Sequence, residues 1–571
     1  MSLACMMLLL VTGCTTSDPS PQANVVTRSP MPSITADPTT APLPFLDVAM
    51  IGELRELAYT DGTLVARARL QKVQQGMDDH ALMLITAHLD WLEGDITNVN
   101  ALLTQVVKSD NSVARDFARQ QQQHILELER RWLAAAEVAY QRSREHPPKQ
   151  SPDINEDLWS LLLRVTDDQL RRAIRTSTES EWQQWLTLNT SYRQGRQSVK
   201  NWLQLHPSHP AAHQMPGALS TWLQTTPPNH VAAILPLSGS LKSAGNAVLD
   251  GMIAELYRRY PMVDTRPSFT VIDSNLSSGI SAAYREAEDQ GANVVLGPLT
   301  KANVQGLGAT TPKSTPVIAL NRPDILLPDE VLSWSAMSLA PEDEARQLAQ
   351  IAYGQGLRRA IVITPDSDWG QRMADALRGR WRVLGGQITT ELVLDDDSPL
   401  SLQISATVGS AQAEARVKAF EDAFTKPIEA RPRRREDYDV IFLLTPTPAE
   451  ARAIRPLIVF HYSGDVPIYA PSTVYAGDNP PQNRDLNNVR FLEIPAMLRA
   501  GNDLRFRRLN ALGADAVRML EHYEQALETR APLFTGETGL LQRSGSGDIT
   551  RELDLVVFAE DNVQRVSLPS Q

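Results

Sequence analysis

The stretch Val231-Ala-Ala-Ile-Leu-Pro-Leu237-Ser238-Gly239 opens a part of the chain in which short apolar runs alternate with helical patterns. An apolar run of this length that ends in Ser-Gly is typical of a strand buried on both faces. Similar runs lie at Phe269–Ile272, Val294–Leu296 and Val317–Leu320, and helical patterns lie at Gly245–Tyr260 and Gly279–Gln290. This alternation predicts a parallel sheet that is covered by helices on both faces.

A second series of the same kind begins at Ala360–Thr364 and continues at Leu392–Leu394 and Val440–Leu444. Helical patterns at Trp369–Leu384 and Pro448–Tyr462 separate these runs. Two successive series predict two doubly wound lobes with a cleft at the ends of their strands. We therefore predict a bilobal α/β domain over residues 229–571.

Residues 45–226, which precede this domain, have a helical period. Apolar residues recur at spacings of three and four in Ala81–Leu89 and Ala101–Leu103, and a Gly-Asp turn lies between them. This helix–turn–helix pattern is the unit of tetratricopeptide (TPR)-like solenoids, which most often bind other proteins. Further helical patterns lie at Val113–Arg142, Asn155–Arg164, Thr166–Arg175 and Ser180–Gln204. The predicted fold class is α + α/β, with a TPR-like helical domain first, and a generic helical bundle without a binding role is an equal alternative.

The segment Leu8-Leu-Leu-Val-Thr-Gly-Cys14 is apolar but far too short to span a bilayer. It resembles a bacterial lipobox, in which the chain is cleaved before a cysteine that carries acyl chains such as palmitate. We predict a signal peptide at 1–13, lipidation of Cys14 and a Pro/Thr/Ser-rich tether over 14–44. Thr15 resembles the residue that follows the cysteine in outer-membrane lipoproteins. The alternative is a buried N-terminal segment with a chance Gly-Cys pair.

The composition is compatible with an exported globular protein of 571 residues, 42% of them hydrophobic. Only Cys5 and Cys14 occur, so cleavage would leave a single cysteine and no disulfide. The net charge of −12 argues against nucleic acid as a partner, because phosphate binding needs a basic surface. His206, His209 and His213 lack Cys or carboxylate neighbours at metal-ligand spacing and are assigned to a linker. We predict no metal and no cofactor.

The loops after the first four predicted strands resemble those that line the cleft of the type I periplasmic-binding-protein fold. They are Leu235-Pro-Leu-Ser-Gly239, Ile272-Asp-Ser274, Gly297-Pro-Leu-Thr-Lys301 and Ala319-Leu-Asn321. More specific segments closely resemble the family of penicillin-binding protein activators LpoA. These segments lie at 338–346, 365–370, 455–465, 467–470 and 485–491, with two more at 156–159 and 181–188. The resemblance covers the chain from Phe45 onward and includes the lipobox.

This resemblance implies a noncatalytic outer-membrane lipoprotein on the periplasmic side. It would bind and stimulate a class A, bifunctional penicillin-binding protein and so regulate peptidoglycan synthesis. Within the bilobal domain we predict a first lobe at about 229–339 and 497–530, and a second lobe at about 340–496 and 531–571. The alternative is a lipid-anchored receptor for a small polar solute, which would share the fold and the anchor but would not need the helical domain.

Two sets of residues are candidates for function. Polar side chains at the predicted strand ends are candidates for a cleft that binds a small ligand: Ser238, Asp273, Ser274, Thr300 and Asn321 from one lobe, and Asp366, Asp368 and Trp369 from the other. The alternative is that these residues cap helices and fix loops. Arg431, Arg433, Arg434 and Arg435 form the only strong basic run of an acidic chain and are candidates for contact with a partner, or else belong to a solvated loop.

Sequence signatures of enzymes are missing. None of the nine Lys residues has Ser three positions earlier, as an acylating transpeptidase would need, and no Gly-x4-Gly-Lys phosphate loop occurs. Gly545-Ser-Gly547 lacks the spacing of a nucleophile elbow, and Asp395-Asp-Asp397 is typical of a solvated loop. We predict that the protein is not an enzyme, although two distant carboxylates that meet in space stay open as an alternative.

Overall fold

The computed structural model describes residues 46–146, 152–276, 278–308, 314–322, 334–423, 432–477, 480–499, 506–523, 532–544, 548–560 and 562–566. The predicted signal peptide, Cys14 and the tether lie outside these residues, as do Arg431 and Gly545-Ser-Gly547. Within the described part, no helix is both long and apolar enough to cross a membrane.

Residues 46–224, called here the helical half, form helices throughout their described part. They are α1 (Val48–Thr60), α2 (Thr63–Val73), α3 (Asp79–Glu93), α4 (Ile96–Val107), α5 (Ser112–Leu128), α6 (Trp132–Glu145), α7 (Pro152–Arg164), α8 (Asp167–Thr176), α9 (Ser180–Gln194), α10 (Arg196–Leu205), α11 (Pro210–His213) and α12 (Gly217–Gln224). Two of the predicted helical stretches, Val113–Arg142 and Ser180–Gln204, are each divided into two helices. Arg130, with φ of 58°, separates α5 from α6, and Gly195, with φ of 119°, separates α9 from α10. Apolar spacing misses such breaks because a single residue with positive φ is enough to end a helix.

Tryptophan and histidine rings form the core around α9–α11. The ring of His209 lies 4.9 Å from that of Trp185 and 5.0 Å from that of Trp202, and His209 is almost fully buried. Its Nδ1 accepts a hydrogen bond from the N–H of Ala211 at the start of α11, and burial lowers the pKa of His209 to about 4. His209 is therefore a core residue, and its assignment to a linker is wrong. No group of three or more potential metal ligands occurs among the described residues.

The first sheet has five parallel strands in the order β2-β1-β3-β4-β5. The strands are β1 (His230–Leu235), β2 (Ser268–Asp273), β3 (Val294–Leu296), β4 (Val317–Ala319) and β5 (Trp334–Ala336), and the helices are α13 (Lys242–Arg259), α14 (Ile280–Asp289) and α15 (Lys301–Gly308). Val231, Ala233 and Leu235 share a core with α13, whereas Ala232 and Ile234 share a core with α14. Both faces of β1 are thus buried by helices, which confirms the predicted class of sheet.

The second sheet has seven strands in the order β15-β14-β10-β9-β8-β6-β7. Its strands are β6 (Arg359–Pro365), β7 (Gln387–Leu394), β8 (Val440–Leu443), β9 (Ile468–Ala470), β10 (Val489–Glu493), β14 (Asp554–Ala559) and β15 (Asn562–Arg565). Its helices are α16 (Pro341–Gly354), α17 (Asp368–Leu384), α18 (Leu400–Val408), α19 (Ser410–Ala423), α20 (Pro448–Ile458) and α21 (Pro480–Asn483). Strands β6–β10 are parallel, and the C-terminal strands β14 and β15 add an antiparallel edge.

The C-terminal segments connect the two sheets. Helix α22 (Arg507–Arg518) packs on α13 of the first sheet so closely that a Cβ on Gly513 would lie 2.0 Å from the carbonyl oxygen of Val248. Strands β11 (Pro532–Thr535), β12 (Leu540–Arg543) and β13 (Ile549–Glu552) form a third sheet, whose Leu541 joins the core of the first sheet. The chain then returns to the second sheet as β14 and β15. The limits given above for the two lobes stay a prediction.

Buried charged groups lie where these connections meet. Glu493 of β10 is fully buried and forms an ion pair of 2.5 Å with Arg508 of α22. Burial raises the pKa of Glu493 to about 7, and Arg508 offsets only part of that rise. Glu344 of α16, also buried, accepts hydrogen bonds from the N–H and the hydroxyl of Ser472 at 2.8 and 3.0 Å. The first contact joins β10 to α22 across 15 positions, and the second joins α16 to Ser472 across 128 positions.

The helical half packs against the second sheet through Arg358. The guanidinium of Arg358 donates hydrogen bonds to the carbonyl oxygens of Trp91 at 2.5 Å, Leu92 at 2.9 Å and Tyr353 at 2.6 Å. It also lies 3.7 Å from the centre of the Tyr353 ring. Residues of α3–α5 and of the second sheet belong to one continuous hydrophobic core. This part of the helical half is therefore not a separate unit joined by a flexible linker.

A second interface joins the helical half to the segments around the first sheet. The hydroxyl of Tyr192 donates a hydrogen bond of 2.6 Å to the carbonyl oxygen of Leu533, and that of Thr535 donates one of 3.0 Å to the carbonyl oxygen of Leu163. The ring of His522 stacks on that of Trp222 at 6.1 Å. The helical half thus contacts segments that pack with each of the two large sheets.

Candidate functional site

The first group of predicted cleft residues follows β1 and β2. The carboxylate of Asp273 accepts hydrogen bonds of 3.0 Å from the N–H groups of Leu237 and Asn275. Burial would raise the pKa of Asp273, but these N–H groups and the Ser238 hydroxyl outweigh that effect and lower the pKa. Asp273 therefore fixes the loop between β1 and α13. This agrees with the alternative that the candidate residues fix loops and do not bind a ligand.

Ser274 differs from its neighbours. It is largely buried, and its hydroxyl has no hydrogen-bond partner among the described residues. Buried polar groups are nearly always paired, because leaving one unpaired costs about 1–3 kcal/mol. Ser274 is therefore the residue of this group whose hydroxyl holds no loop among the described residues.

Thr300 and Asn321 serve the loops after β3 and β4. The N–H of Asn303 donates to the Thr300 hydroxyl at 3.3 Å, which caps the start of α15. The side-chain amide of Asn321 donates to the carbonyl oxygen of Leu299 at 3.1 Å, and its side-chain oxygen accepts from the N–H of Arg322 at 3.0 Å. Thr300 thus holds the backbone of its own loop, and Asn321 ties the loop after β4 to the loop after β3.

The second group of cleft residues lies at the end of β6. Asp366 and Asp368 are exposed, and Trp369 is half-buried against the core of the second sheet. The hydroxyl of Ser367 caps α17 by accepting a hydrogen bond of 3.1 Å from the N–H of Gly370. The polar contacts of this group lie within the second sheet and its helices, and those of the first group lie around the first sheet. Binding of a ligand by the eight residues together stays a prediction.

The arginine run is held partly by the protein itself. Arg434 forms an ion pair of 3.0 Å with Asp465 and lies 5.0 Å from the ring centre of Tyr438. Arg435 pairs with Asp437 at 2.5 Å and donates to the hydroxyl of Thr390 at 2.7 Å. Arg433 is exposed. Of the described members of the run, Arg433 is thus the one best placed to meet a partner.

A cavity of about 1100 Å³ lies between the helical half and the C-terminal strands. Trp132 and Arg164 line one side, and Met497, Glu552 and Arg565 line the other. The guanidinium of Arg164 lies 4.9 Å from the ring centre of Trp132 and also pairs with Glu552. Sequence analysis missed this cavity because its two sides come from segments nearly 400 residues apart, and no local pattern reports that they meet.

The chain matches the model of a known protein family. The family model described as "LppC putative lipoprotein" matches residues 64–560, which is most of the chain. The chain belongs to the LppC lipoprotein family. The match runs from within α2 to the residue after β14, so it covers most of the helical half and of the three sheets of this chain.

Several curated relatives of this LppC-family chain are named penicillin-binding protein activator LpoA. The relative from Photobacterium profundum is 27% identical over 73% of this chain and 72% of its own length. The relative from Yersinia pseudotuberculosis is 25% identical over 73% of this chain and 74% of its own length. The resemblance to the LpoA family that the sequence predicted is confirmed.

Solved structures of LpoA from Haemophilus influenzae are also similar to this chain. The full-length protein is 19% identical, with a TM-score of 0.47 over 90% of this chain and 94% of that one. Its C-domain, described as a regulator of PBP1A, is 20% identical, with a TM-score of 0.47 over 59% of this chain and all of that one.

Proposed function

We propose that this LppC-family protein binds and stimulates a class A, bifunctional penicillin-binding protein and so regulates peptidoglycan synthesis. The observation that carries this proposal is the sequence similarity to proteins named penicillin-binding protein activator LpoA. This similarity extends over both the helical half and the bilobal α/β domain. The geometry supports it, because the side chains of Asp273, Thr300 and Asn321 at the strand ends already have partners within the protein. A continuous surface for a protein partner fits this arrangement better than a substrate site does.

We also propose that the protein has no enzymatic activity of its own. His461 lies between two serine hydroxyls, 2.9 Å from that of Ser401 and 3.1 Å from that of Ser410, which superficially resembles an activated nucleophile. Ser410 is fully buried, however, so no substrate could reach its hydroxyl. Ser401 is half-buried, but the other ring nitrogen of His461 contacts Ser410 and not a carboxylate that would orient the base. A nucleophilic serine must be accessible as well as paired with a base. These contacts support a structural role for His461.

A reconstituted synthesis reaction tests both proposals. A purified class A synthase is incubated with its lipid-linked disaccharide-peptide substrate, with or without the full-length protein, and glycan and crosslinked products are measured. We expect more product in the presence of the folded protein, no increase with heat-unfolded protein, and no product from the protein alone. Unchanged synthesis would contradict the proposed activation. Turnover by the isolated protein, lost on a single substitution, would contradict its noncatalytic role.

The lipid anchor is the third part of the proposal. Lipidation at Cys14 would hold the protein on the periplasmic side of the outer membrane, with residues 14–44 as a tether. Thirty extended residues reach at most roughly 90 Å, so the tether would bring the folded part towards a synthase in the inner membrane. Cys14→Ser should abolish lipid labelling and outer-membrane fractionation. If the variant still fractionates with the outer membrane like the wild type, the anchor is not at Cys14.

A solute receptor is the second candidate, and the unpaired hydroxyl of Ser274 favours it. Native mass spectrometry of the purified protein should detect a bound small molecule if this function is correct. Ser274→Ala should then release that molecule without changing the folded state. If the mass spectrum shows no bound molecule in purified protein that activates the synthase, activation of the synthase is the sole function.

A further inference from the structure

An exposed aromatic turn follows α20. The helix ends at Ile458, and Val459–Ser463 form a π-type turn that we call the aromatic turn. Phe460 is 71% exposed and Tyr462 is 46% exposed, and Val459 beside them is also exposed. Large apolar side chains that lie together on a surface mark contact sites more often than isolated ones do. The remaining two residues of the turn, His461 and Ser463, are buried.

The buried residues anchor the turn to the protein. The two ring nitrogens of His461 contact the hydroxyls of Ser401 on α18 and Ser410 on α19. The hydroxyl of Ser463 lies 2.7 Å from that of Tyr438, and both residues are fully buried or nearly so. His461 and Ser463 thus fix the backbone on both sides of Tyr462.

The backbone at Tyr462 is strained. Tyr462 has φ of 63° and ψ of 22°, the left-handed conformation that a bulky side chain rarely adopts. Holding a residue other than glycine there costs free energy, and such strain is concentrated at functional sites. The anchored neighbours of Tyr462 maintain this conformation, so the two exposed rings are presented in a fixed arrangement. Rigid aromatic anchors lose little entropy on binding, which makes them efficient contact residues.

The surroundings of the turn indicate the charge of its partner. Asp465, two residues after the turn, pairs with Arg434, and Arg435 pairs with Asp437. Arg433 and Glu436 of the same segment are both exposed, and neither forms an ion pair among the described residues, so this segment presents one charge of each sign. A complementary surface would therefore offer an apolar pocket for the rings, a carboxylate opposite Arg433 and a basic group opposite Glu436.

We propose that the aromatic turn is a contact surface for the class A penicillin-binding protein, with Phe460 and Tyr462 as its anchors and Arg433 at its rim. This inference rests on the proposed function and assigns that function to a particular surface. The partner's side is a protein surface with an apolar pocket, bordered by a carboxylate that meets Arg433 and a basic group that meets Glu436. Binding buries the two rings and leaves the fold of this protein unchanged.

The test measures binding of the full-length protein to a purified class A synthase, together with stimulation of synthesis. Phe460→Ala combined with Tyr462→Ala should weaken binding on the order of 30-fold, as expected for the loss of hot-spot aromatics. Tyr257→Ala is the matched control, because Tyr257 is 57% exposed on α13 of the first sheet. It should bind within about twofold of the wild type, as residues outside a hot spot do.

Tyr462→Gly separates contact from folding. Glycine adopts positive φ without steric cost, so this variant should keep or raise the melting temperature while it loses affinity. If the Phe460→Ala/Tyr462→Ala variant binds the synthase as tightly as the wild type does, the assignment of the contact surface is wrong and the proposed function stands. Loss of binding by Tyr257→Ala alone would place the contact on the first sheet and also overturn it. A wild-type protein that neither binds nor stimulates the synthase would refute the proposed function itself, and the surface with it.

Discussion

Glu493 is a buried carboxyl whose protonation affects stability. Burial raises its pKa from the ordinary value of 4.5 to about 7, so the folded protein binds a proton more tightly than the unfolded chain does. The resulting stabilisation is complete below pH 4.5 and is lost as the pH rises through 7. Glu493→Gln should remove this dependence, worth a few kcal/mol at about 1.4 kcal/mol per pKa unit. Denaturant unfolding at several pH values between 4.5 and 8 measures it.

The control for this residue is Glu436→Gln, which changes an exposed carboxylate. It should leave the pH dependence of the unfolding free energy as it is in the wild type. If Glu493→Gln and the wild type lose stability in parallel across this range, the buried carboxyl is not the titrating group.

Arg433 and Arg435 should behave differently when their charge is reversed. Arg433→Glu should slow association with the synthase by up to about tenfold at low salt and make association less sensitive to salt, because an exposed charge steers the encounter. Arg435→Glu should instead lower the melting temperature, because it breaks the contacts with Asp437 and Thr390. Stopped-flow association and thermal unfolding measure the two effects. An association rate unaffected by Arg433→Glu would show that the rim charge does not steer binding.

The crossing of α13 and α22 is the element-scale feature that joins the C-terminal segments to the first sheet. Gly513→Ala would place a Cβ 2.0 Å from the carbonyl oxygen of Val248, so the helices would have to separate. We expect a loss of about 1–3 kcal/mol in the free energy of unfolding, as for other overpacked sites. Gly379→Ala on α17 meets no atom within 4 Å and should instead gain about 0.5–1 kcal/mol. Equal effects of the two substitutions would contradict the close crossing.

The element scale also shows how far the sequence reaches. The period of the apolar residues predicted β1–β4 of the first sheet together with α13 and α14, but it did not predict β5 or α15. It failed at Arg130 and Gly195, where one positive φ divides a helix. The candidate residues at strand ends could be named from the sequence, because the carboxyl ends of parallel strands lie at one edge. Which of them already have partners within the protein depends on loop conformation, and Ser274 differs from Asp273 for that reason alone.

At the scale of the whole molecule, Arg358 connects the helical half to the second sheet. Arg358→Ala removes the hydrogen bonds to the carbonyl oxygens of Trp91 and Tyr353 and should cost about 1.5–3 kcal/mol, as for other charged hydrogen bonds. Hydrogen exchange should become faster in both α3 and α16, because each loses a contact of the interface. Arg171→Ala, which removes an exposed ion pair with Asp168, is the control and should change neither. Faster exchange in α16 alone would contradict this coupling.

The sequence by itself determined the class of each half and the family resemblance, and it predicts the lipid anchor, because these depend on residues that are close together in the chain. Only the tertiary structure decided that the helical half packs against the second sheet and against the C-terminal segments around the first sheet. Arg358 meets Trp91 across 267 positions and Tyr192 meets Leu533 across 341 positions, and no local period encodes such pairs. The aromatic turn combines both levels. Its residues are adjacent in the sequence, but Phe460 and Tyr462 are exposed because His461 and Ser463 are fixed by distant Ser401, Ser410 and Tyr438. Side-chain burial depends on such long-range packing, and so the surface that can meet a partner is decided by the tertiary fold.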